Sequence, residues 1–509
     1  MRRAGIWTFL LLIFALLAMA CGQKPGVHVS TGGSGLGPGE AGGELAFDPV
    51  TGEPLGEAGS AGGGGSRTTR SGGGSGGEGA GEGGGSVAAG PGDRNGVFND
   101  RIVIGFHAPA TGAAPVRLDD LTQINLFSDW LASKGVNIHG RKIQFMFKDD
   151  TYSPSRAVEV CREFVERDKV FLLFGGAGTD QILACARYAA TRGVPYISAG
   201  VTENTVKGLK NYFAISMSYP QQGKPLAQMI KNLTNAPGGP VYVDRCNESS
   251  QGQTTDPFCR NNGSAKPKVA MVYSNTSGFT DGKDAFLREW KAVSGTDAKP
   301  FSITKYNIDN NAASSLVDRL SKGGFDVVYV LTSPTNWLAI LRVAEGQLYA
   351  PRWVGVGLTK GIDLVADLGC KQSPNSFANS LFLNPWMSVQ NEQATVNFRD
   401  AWARFGDDYR RHDIAWGLWG ASVLAHSLFQ GVGPDVGRSK FVSTVEQMKN
   451  VTALPGNANT GQIRQVWSTL NFSAANHLGA NQAHLLSGFC SGGTGVWRDV
   501  AGKQFVSGF

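Results

Sequence analysis

Two short segments that contain glycine and threonine follow apolar runs and have the residue types needed to bind an anion. Gly175–Asp180 follows the run Val170–Phe174, and Ser198–Thr202 follows the run that begins at Pro195. Glycines let a ligand approach the backbone, and hydroxyls and amides at the start of a helix donate hydrogen bonds to negative charge. Each segment alone fits a tight turn with a capping threonine. Two of them at adjacent strand ends predict a binding site for an anion such as a carboxylate.

Recognised catalytic and cofactor-binding motifs are missing from the sequence. It contains neither H-E-x-x-H nor G-x-x-x-x-G-K-[ST], and Gly176 and Gly178 lack the third glycine of a dinucleotide-binding fingerprint. No cysteine lies near a histidine at metal-ligand spacing. The sequence therefore predicts no catalytic residue, no metal and no cofactor. A hydrolase stays open as an alternative, because catalytic triads are defined by geometry and not by sequence spacing.

From Arg101 onward, apolar runs alternate with segments of helical spacing, and the polar stretch Asn235–Pro267 divides them into two groups. The predicted strands are Ile102–Phe106, Lys142–Phe147, Val170–Phe174, Pro195–Ser198, Val269–Tyr273, Phe301–Tyr306 and Val327–Leu331, and the predicted helices are Leu121–Leu131, a helix capped by Ser153, Asp180–Ala190, Gly282–Val293, Ala313–Lys322 and Trp337–Glu345. Continuous apolar strands between helices are typical of parallel sheets covered on both faces. The sequence therefore predicts an α/β fold with two doubly wound parallel-sheet lobes, finished by a short hairpin within Gly493–Phe509.

The N-terminal region has the pattern of an export signal followed by a tether. Residues 1–20 contain two arginines, an apolar run and small residues, which is typical of a signal peptide. Cys21 then stands at the position that receives lipid in bacterial lipoproteins, although simple cleavage near Ala20 is the alternative. Residues 31–96 hold 27 of the 70 glycines, a flexible-coil composition. We expect 21–98 to be a lipidated tether.

The remaining cysteines fit the oxidising compartment that an export signal implies. They are Cys161, Cys185, Cys246, Cys259, Cys370 and Cys490, an even number that is consistent with three disulfides. The sequence does not decide among the possible connectivities. We favour Cys161–Cys185, which join consecutive helices, and Cys246–Cys259, which would close a polar loop, so that Cys370–Cys490 is left as the third pair.

The charge of the chain argues against nucleic acid as a partner. Only 17% of residues are charged and the net charge is +6, of which Arg2 and Arg3 in the predicted signal supply 2. Nucleic-acid binding needs clustered lysine and arginine, and the remaining positive charge is dispersed.

Three further segments carry a resemblance to a known family. Ile102–Gly105, Gly140–Ile143 followed by Asp149-Asp150, and Val194–Gly200 resemble the leucine/isoleucine/valine-binding class of bacterial solute-binding proteins. The likeness covers most of Arg101–Phe429. It implies the type I periplasmic-binding fold, in which two α/β lobes joined by a three-segment hinge close on a small molecule and deliver it to an ABC permease.

The resemblance also sets the expected organisation and location. We expect 99–218 with 385–455 to form the first lobe, and 219–384 with 456–509 to form the second. A monomer held by Cys21 on the outer face of the cytoplasmic membrane, or on the periplasmic side of an envelope membrane, is the expected form. A lipid-anchored sensing receptor without transport is the main alternative, ahead of an exported hydrolase.

A set of ligand-binding residues follows from the same resemblance. Thr179 resembles the hydroxyl that holds a ligand carboxylate, and Gly200 and Thr202 resemble contacts of the neighbouring loop. Phe279 matches an aromatic ligand-facing position of the second lobe, and Ser333 begins a loop expected to close over the ligand. The full expected set is Gly178, Thr179, Gly200, Val201, Thr202, Phe279 and Ser333.

One departure from the family pattern concerns the ligand. Amino-acid binders of the family often carry an acidic residue after the strand near Trp353, where it pairs with the ligand ammonium, but this sequence has Gly357 at the best-matching position. A buried ammonium without a carboxylate partner is costly. Either Asp180 or Asp281 substitutes for that acid, or the ligand is a small carboxylate or amide without an α-amino group.

Overall fold

A computed structural model describes most of the chain from Gly92 onward. The described residues are 92–112, 115–116, 124–204, 206–235, 267–304, 307–356, 363–386, 396–403, 413–451, 453–454, 461, 463–464, 466–467, 469–500 and 506–507. The predicted signal peptide, the lipid-attachment residue Cys21, nearly all of the predicted tether, the pair Cys246 and Cys259, and Gly357 lie outside the described residues.

Within the described residues, five parallel strands form the first sheet, in the order β2-β1-β3-β4-β5. The strands are β1 (Arg101–Ala108), β2 (Lys142–Asp149), β3 (Leu172–Gly175), β4 (Tyr196–Ser198) and β5 (Tyr212–Ala214). Because β1 lies inside the sheet and the chain runs outward from it in both directions, crossover helices cover both faces. The predicted doubly wound arrangement is confirmed for this lobe.

The second sheet combines parallel strands with an antiparallel edge. Its strands are β6 (Val269–Ser274), β7 (Lys299–Ile303), β8 (Val327–Leu331), β9 (Arg352–Val356), β10 (Ser380–Asn384), β13 (Gln482–Ser491), β14 (Thr494–Asp499) and β15 (Val506–Ser507). Strands β7, β6, β8, β9 and β10 are parallel neighbours, and β13 runs antiparallel to β10. The hairpin expected within Gly493–Phe509 turns instead at Gly492 and Gly493, between β13 and β14. Both glycines have positive φ, which favours glycine in a tight hairpin turn.

The six helices that the sequence predicts are present, with ends that differ by a few residues, and further helices accompany them. In chain order they are α1 (Ile124–Ser133), α2 (Pro154–Arg162), α3 (Thr179–Thr191), α4 (Tyr219–Asn235), α5 (Ser277–Ser294), α6 (Asn310–Lys322), α7 (Pro334–Gly346), α8 (Asp363–Gln372), α9 (Pro374–Ala378), α10 (Val396–Trp402), α11 (Asp413–Val432) and α12 (Arg438–Val445). Ser153 caps α2 as predicted, with its side chain accepting from the Arg156 amide. Of the helices in the described ranges, none has the length and apolar character needed to cross a membrane.

Between α12 and β13, the short strands β11 (Ala453–Leu454) and β12 (Ile463–Arg464) pair antiparallel, and the described residues Phe472 and Leu478 lie beside the first sheet. Leu478 forms a parallel bridge with Ala214 at the end of β5, and the rings of Phe472 and Phe213 meet edge to face at 5.5 Å. The boundaries assigned to the lobes, including the change of lobe at residue 456, stay a prediction. These contacts favour a change nearer to the start of β13.

Two disulfides connect elements within the lobes. Cys161 of α2 pairs with Cys185 of α3 at a Cα–Cα distance of 5.9 Å, and Cys370 of α8 pairs with Cys490 of β13 at 5.6 Å. Both pairings are the ones that the sequence favours. The third expected pair lies outside the described residues.

Removing the first disulfide is expected to destabilise the folded protein. The pair Cys161 and Cys185 closes a loop with a sequence separation of 24 residues, so the double alanine variant should lose about 3 kcal/mol of unfolding free energy. Urea denaturation of wild type and variant under oxidising conditions measures the loss. The difference should shrink once a reductant has opened the wild-type disulfides, and a variant as stable as the wild type in oxidising buffer would contradict the prediction.

Candidate functional site

The two sheets meet through the loops that follow the carboxyl ends of their strands. Thr276, just before α5, donates from Oγ1 to the Asp180 carboxylate in the first turn of α3, at 3.2 Å to Oδ2. In the opposite direction, Thr202 donates from Oγ1 to Oδ2 of Asp281 in α5 at 2.6 Å. Open α/β sheets place ligand sites at these strand ends. The contact between the lobes therefore runs through the loops that the sequence singled out.

Thr179 and Gly178 lie at the start of α3 and are buried against the second lobe. The Thr179 hydroxyl is 3.2 Å from the Tyr219 hydroxyl. Gly278, at the start of α5, packs against the Thr179 methyl group so closely that a Cβ there would overlap it. Gly178 is the N-cap residue of α3, and a Cβ on it would overlap the Gln181 amide. Gly278 thus has to lack a side chain for the lobes to meet, whereas Gly178 makes room for Gln181 within the first lobe.

The second predicted loop, Gly200 to Thr202, is held by backbone contacts. The Gly200 amide donates to Ser216 Oγ at 2.9 Å, and a Cβ on Gly200 would overlap the Ser216 carbonyl. The Val201 carbonyl accepts from the Tyr219 amide at 2.6 Å. The Thr202 side chain is fully buried in its contact with Asp281. The assignment of these residues to a ligand stays a prediction.

Phe279 and Ser333 have different surroundings. The Phe279 ring is buried and stacks on Tyr219, with ring centroids 5.5 Å apart and planes at 16°. It therefore belongs to the same contact between the lobes as Thr179. Ser333 is the N-cap of α7, where its Oγ accepts from the Asn336 amide at 3.2 Å. Ser333 thus begins a helix, and its expected contact with a ligand also stays a prediction.

Tyr152 is a candidate site residue that the sequence did not identify. It and Thr151 have φ values of 56° and 53°, a conformation that costs non-glycine residues energy and occurs often at functional sites. The Tyr152 ring reaches Gly178, where a Cβ would lie 2.9 Å from Cε2. Burial is the main cause that raises the pKa of the Tyr152 hydroxyl well above its ordinary value, and Tyr219, Asp180 and Asp150 add to it. Nothing in the residue types of Asp149–Tyr152 signals this backbone conformation.

An apolar cavity opens beside these loops, at the carboxyl ends of β1, β3, β4 and β5. The empty space that it encloses, together with open solvent at its mouth, is about 580 Å³. Glycines and apolar side chains line it: Phe106, Ala108, Val116, Phe174, Gly175, Gly176, Ala177, Ala199, Ile215, Trp386, Gly417, Leu418, Ala421 and Trp467. The two loops predicted from the sequence thus border the cavity, but the residues that face it precede the threonines.

Two tryptophans form the wall of the cavity opposite the first sheet. The rings of Trp386 and Trp467 meet at 87° with centroids 4.9 Å apart, and their backbones form an antiparallel bridge. Glycines on α11 make room for them: a Cβ on Gly417 would lie 3.1 Å from the Trp386 ring, and one on Gly420 would contact Trp467. The wall is therefore built from three segments that are far apart in the sequence.

A buried polar network supports the floor of the cavity. The His107 ring contacts Asp150 Oδ2 through Nδ1 and the Tyr196 hydroxyl through Nε2, each at 2.8 Å, and all three side chains are fully buried. The Tyr196 hydroxyl also donates to the Gly175 carbonyl at 3.1 Å, and the Gly176 amide donates to the His107 carbonyl at 2.7 Å. The network therefore fixes the loop that begins α3.

The same histidine lies close to the first disulfide. Ligand-type atoms of His107, Cys161 and Cys185 all lie within 4.8 Å of one another. The two sulfur atoms are joined in the disulfide, so they offer no thiolates to a metal ion. This cluster is a packing contact of the cavity floor.

Gln181 supplies a polar group next to the cavity loop. Its side chain lies against Gly178 and is buried, and within the described part of the chain its Nε2 has no hydrogen-bond partner. An unpaired buried amide costs free energy that a ligand oxygen would recover. Together with the backbone amides at the start of α3, Gln181 can donate to an oxygen-bearing group.

Comparisons with known proteins place this geometry in a family. The chain matches the family model described as periplasmic binding protein over residues 101–477. No curated protein is significantly similar to it in sequence. Similar solved structures include an ABC-transporter solute-binding protein from Rhodopseudomonas palustris BisB5 in complex with 3,4-dihydroxybenzoic acid, which is 15% identical with a TM-score of 0.56 over 80% of this chain and 98% of that chain.

Two further solved structures share the fold. A fatty acid ABC transporter substrate-binding protein from Thermomonospora curvata is 14% identical, with a TM-score of 0.60 over 81% of this chain and 94% of that one. A leucine-binding protein from Thermotoga maritima MSB8 is 13% identical, with a TM-score of 0.56 over 78% and 97%. The family model covers more than half of the chain and the fold agrees with it, as the resemblance of the strand-end segments predicted. The chain belongs to the periplasmic binding protein family.

Proposed function

We propose that the chain is an extracytoplasmic solute-binding protein that captures a small solute with an apolar body and delivers it to an ABC permease. The observation that supports this most directly is the cavity at the carboxyl ends of the first sheet, lined by aromatic and aliphatic side chains. Burying an apolar body there gains about 25 cal/mol for each Å² removed from water. Membership of the periplasmic binding protein family supports the same role.

The polar end of the solute is assigned to the start of α3. The amides that follow Gly178 come directly after the cavity residues Gly176 and Ala177 in the chain, and the Gln181 side chain lies against Gly178. Helix N-termini attract negative charge, so a carboxylate is the oxygen-bearing group that this end favours. A solute with an apolar body and one carboxylate satisfies both parts of the site.

The ligands of similar solved structures have the same chemistry. Four of the solute-binding proteins from Rhodopseudomonas palustris strains are in complex with benzoate, hydroxybenzoates or 3,4-dihydroxybenzoic acid. The protein from Thermomonospora curvata is named for fatty acid. These ligands combine an apolar body with a carboxylate, which agrees with the cavity of this chain.

An α-amino acid fits the site less well. None of the described residues that line the cavity is charged, and a buried ammonium without a carboxylate partner is costly. The acids considered as partners, Asp180 and Asp281, are engaged in the contact between the lobes. We therefore expect leucine to bind much more weakly than benzoate or octanoate.

The remaining assignments rest on the family and on the N-terminal sequence. Capture without turnover, a monomeric state and a lipid anchor at Cys21 are parts of the same proposal. The family supports an extracytoplasmic location. Intact mass of the mature N-terminus distinguishes lipidation of Cys21 from simple cleavage, because a diacylglyceryl group changes the mass and the solubility of the peptide.

Filling the cavity is expected to abolish ligand binding. Ala421 on α11 is buried and lines the cavity, so Ala421→Phe places a ring in the space of the solute. In the wild type, benzoate or octanoate at 100 times its dissociation constant should raise the free energy of unfolding by about 2.7 kcal/mol, seen as a higher Tm. Ala421→Phe should lose this shift, whereas Ala421→Ser, which keeps the volume, should retain it.

The larger side chain in Ala421→Phe can unfold the protein as well as fill the cavity. A second position in the cavity therefore serves as a control. Ala177 lines the same cavity from a partly exposed loop, where Ala177→Leu has more room to adjust. The ligand-free Tm of each variant shows whether it folds. A benzoate or octanoate shift that survives in both variants would place the ligand elsewhere, and steady turnover of benzoate or octanoate esters would favour a hydrolase instead.

A further inference from the structure

Asp281 sits in the first turns of α5, and its carboxylate crosses to the first lobe. Its Oδ2 accepts from the Thr202 hydroxyl at 2.6 Å, from the Glu203 amide at 2.6 Å and from the Asn204 amide at 3.1 Å. Its Oδ1 accepts from the Gly282 amide at 2.7 Å. One carboxylate oxygen thus receives three hydrogen bonds from a single loop of the other lobe.

These donors are the ones that would recognise a free carboxylate. A hydroxyl and two consecutive backbone amides at the end of a parallel strand form a concave set of donors, which binds anions. Charge-assisted hydrogen bonds of this kind are short and strong. In this chain the anion is the side chain of Asp281, so the loop is filled from within the protein.

A second hydrogen-bonded contact between the lobes lies beside the first, and here the first lobe supplies the acid and the second lobe supplies the hydroxyl. Asp180 of the first lobe accepts from Thr276 of the second, at 3.2 and 3.4 Å to its two oxygens. Gly278 fits against Thr179 without a side chain, and Tyr219 stacks on Phe279. Each lobe therefore contributes an acidic side chain that accepts a hydrogen bond from a threonine hydroxyl of the other lobe. The tightly packed contact between Gly278 and Thr179 accompanies these two hydrogen bonds.

We propose that Asp281 is an internal ligand of the loop formed by Thr202, Glu203 and Asn204, where it holds the two lobes together and keeps solute carboxylates out. The contact between Asp281 and this loop forms in the absence of any solute, so the proposal goes beyond the proposed function. It also bears on specificity, because a solute carboxylate must use the start of α3 unless it displaces Asp281.

Removing the internal carboxylate should create a site for an external one. Asp281→Ala is expected to lower the ligand-free Tm by about 5 °C. Acetate at about 100 mM, a concentration suited to a four-atom ligand of weak affinity, should restore a large part of this loss in the variant. The wild type should not respond to acetate, and chloride at equal ionic strength should restore nothing in either protein.

Asp284 supplies the matched control on the same helix. It is exposed and pairs only with its neighbour Lys283 among the contacts of the described residues. Asp284→Ala should keep the wild-type Tm and show no acetate effect. Solution X-ray scattering adds a readout of lobe closure, in which Asp281→Ala should have a larger radius of gyration than the wild type and Asp284→Ala should not.

Asp281→Asn provides a second test of the proposal if Asp281→Ala folds poorly. It retains an oxygen acceptor of the same size but loses the charge, so a partial fall in Tm without acetate rescue is expected. Equal scattering curves for wild type and Asp281→Ala, or equal acetate responses, would overturn the proposal. These outcomes are independent of the benzoate test, because every measurement is made without a solute for the cavity.

Discussion

Acidification is expected to destabilise the folded chain by about 3 kcal/mol for each of two buried histidines by about pH 4. His426 on α11 is fully buried, and its Nδ1 contacts the Ser422 carbonyl at 2.8 Å. Burial lowers the pKa of His426 to about 4, and burial lowers the pKa of His484 on β13 to about 3. Both rings therefore stay neutral in the folded protein well below the pH at which an unfolded chain is protonated.

The sign of the effect follows from which state takes up protons. In the unfolded chain a histidine has a pKa of about 6.5. Between about pH 6.5 and pH 4, His426 and His484 bind protons in the unfolded chain but not in the folded protein. The equilibrium therefore shifts toward unfolding as the pH falls. The unfolding free energy is free of this penalty above about pH 6.5, where both histidines are neutral in either state, and it falls progressively below that value.

Urea denaturation at several pH values measures the contribution. Each buried histidine should add a slope of about 1.4 kcal/mol per pH unit to the unfolding free energy between about pH 6 and pH 4.5. His426→Phe should lose its share of the slope whatever its stability at neutral pH. Ser422→Ala, which removes a buried hydroxyl one turn away, should keep the wild-type slope. An unchanged slope in His426→Phe would show that this ring takes up its proton at the same pH in the folded and unfolded states.

The fold could be predicted because its signals are local. β1 and β3 of the first lobe are built on continuous apolar runs, and helix starts such as Ser153 are encoded by one polar residue and a proline. The disulfide partners Cys161 and Cys185 lie on consecutive helices, so their proximity follows from the order of elements. Local patterns of this kind need no knowledge of how distant segments pack.

The site could be predicted only in part, because its walls come from distant segments. The loops that contain Gly176 and Ala199 were found from their glycines and threonines. Trp386 and Trp467 are brought together by a bridge between separate connections, which no spacing in the sequence encodes. The role of Asp281 likewise depends on how the second lobe meets the first.

The positions of the lobe boundaries illustrate the same limit. The contact between Leu478 and Ala214 joins residues that are far apart in the chain, so no local pattern in the sequence reveals that Leu478 lies beside the first sheet. Hinge crossings are short irregular segments with few compositional signals. Their placement depends on packing and not on periodicity.

Removing the Asp150 carboxylate is expected to cost about 3–5 kcal/mol of unfolding free energy and to weaken ligand binding. Asp150 accepts from the His107 ring through Oδ2 and from the Tyr152 amide through Oδ1, at 2.8 and 3.0 Å, and it is fully buried. In Asp150→Ala both donors lose their acceptor in a site that excludes water, which is the costly way to break a buried polar pair. Because His107 and Tyr196 hold the Gly175–Gly176 loop, the floor of the cavity should loosen with them.

Two comparisons separate this effect from a general loss of charge. Asp150→Asn keeps an oxygen that can accept from His107 Nδ1, so it should be destabilised less than Asp150→Ala. Asp129→Ala removes an exposed carboxylate that pairs with Lys142 at the surface, and it should cost less than about 1 kcal/mol. Urea denaturation ranks the three variants, and the benzoate-induced shift in Tm reports the state of the cavity. If Asp150→Ala matched Asp129→Ala in both measurements, the network would not support the cavity floor, and the loop would have to be held by its backbone contacts alone.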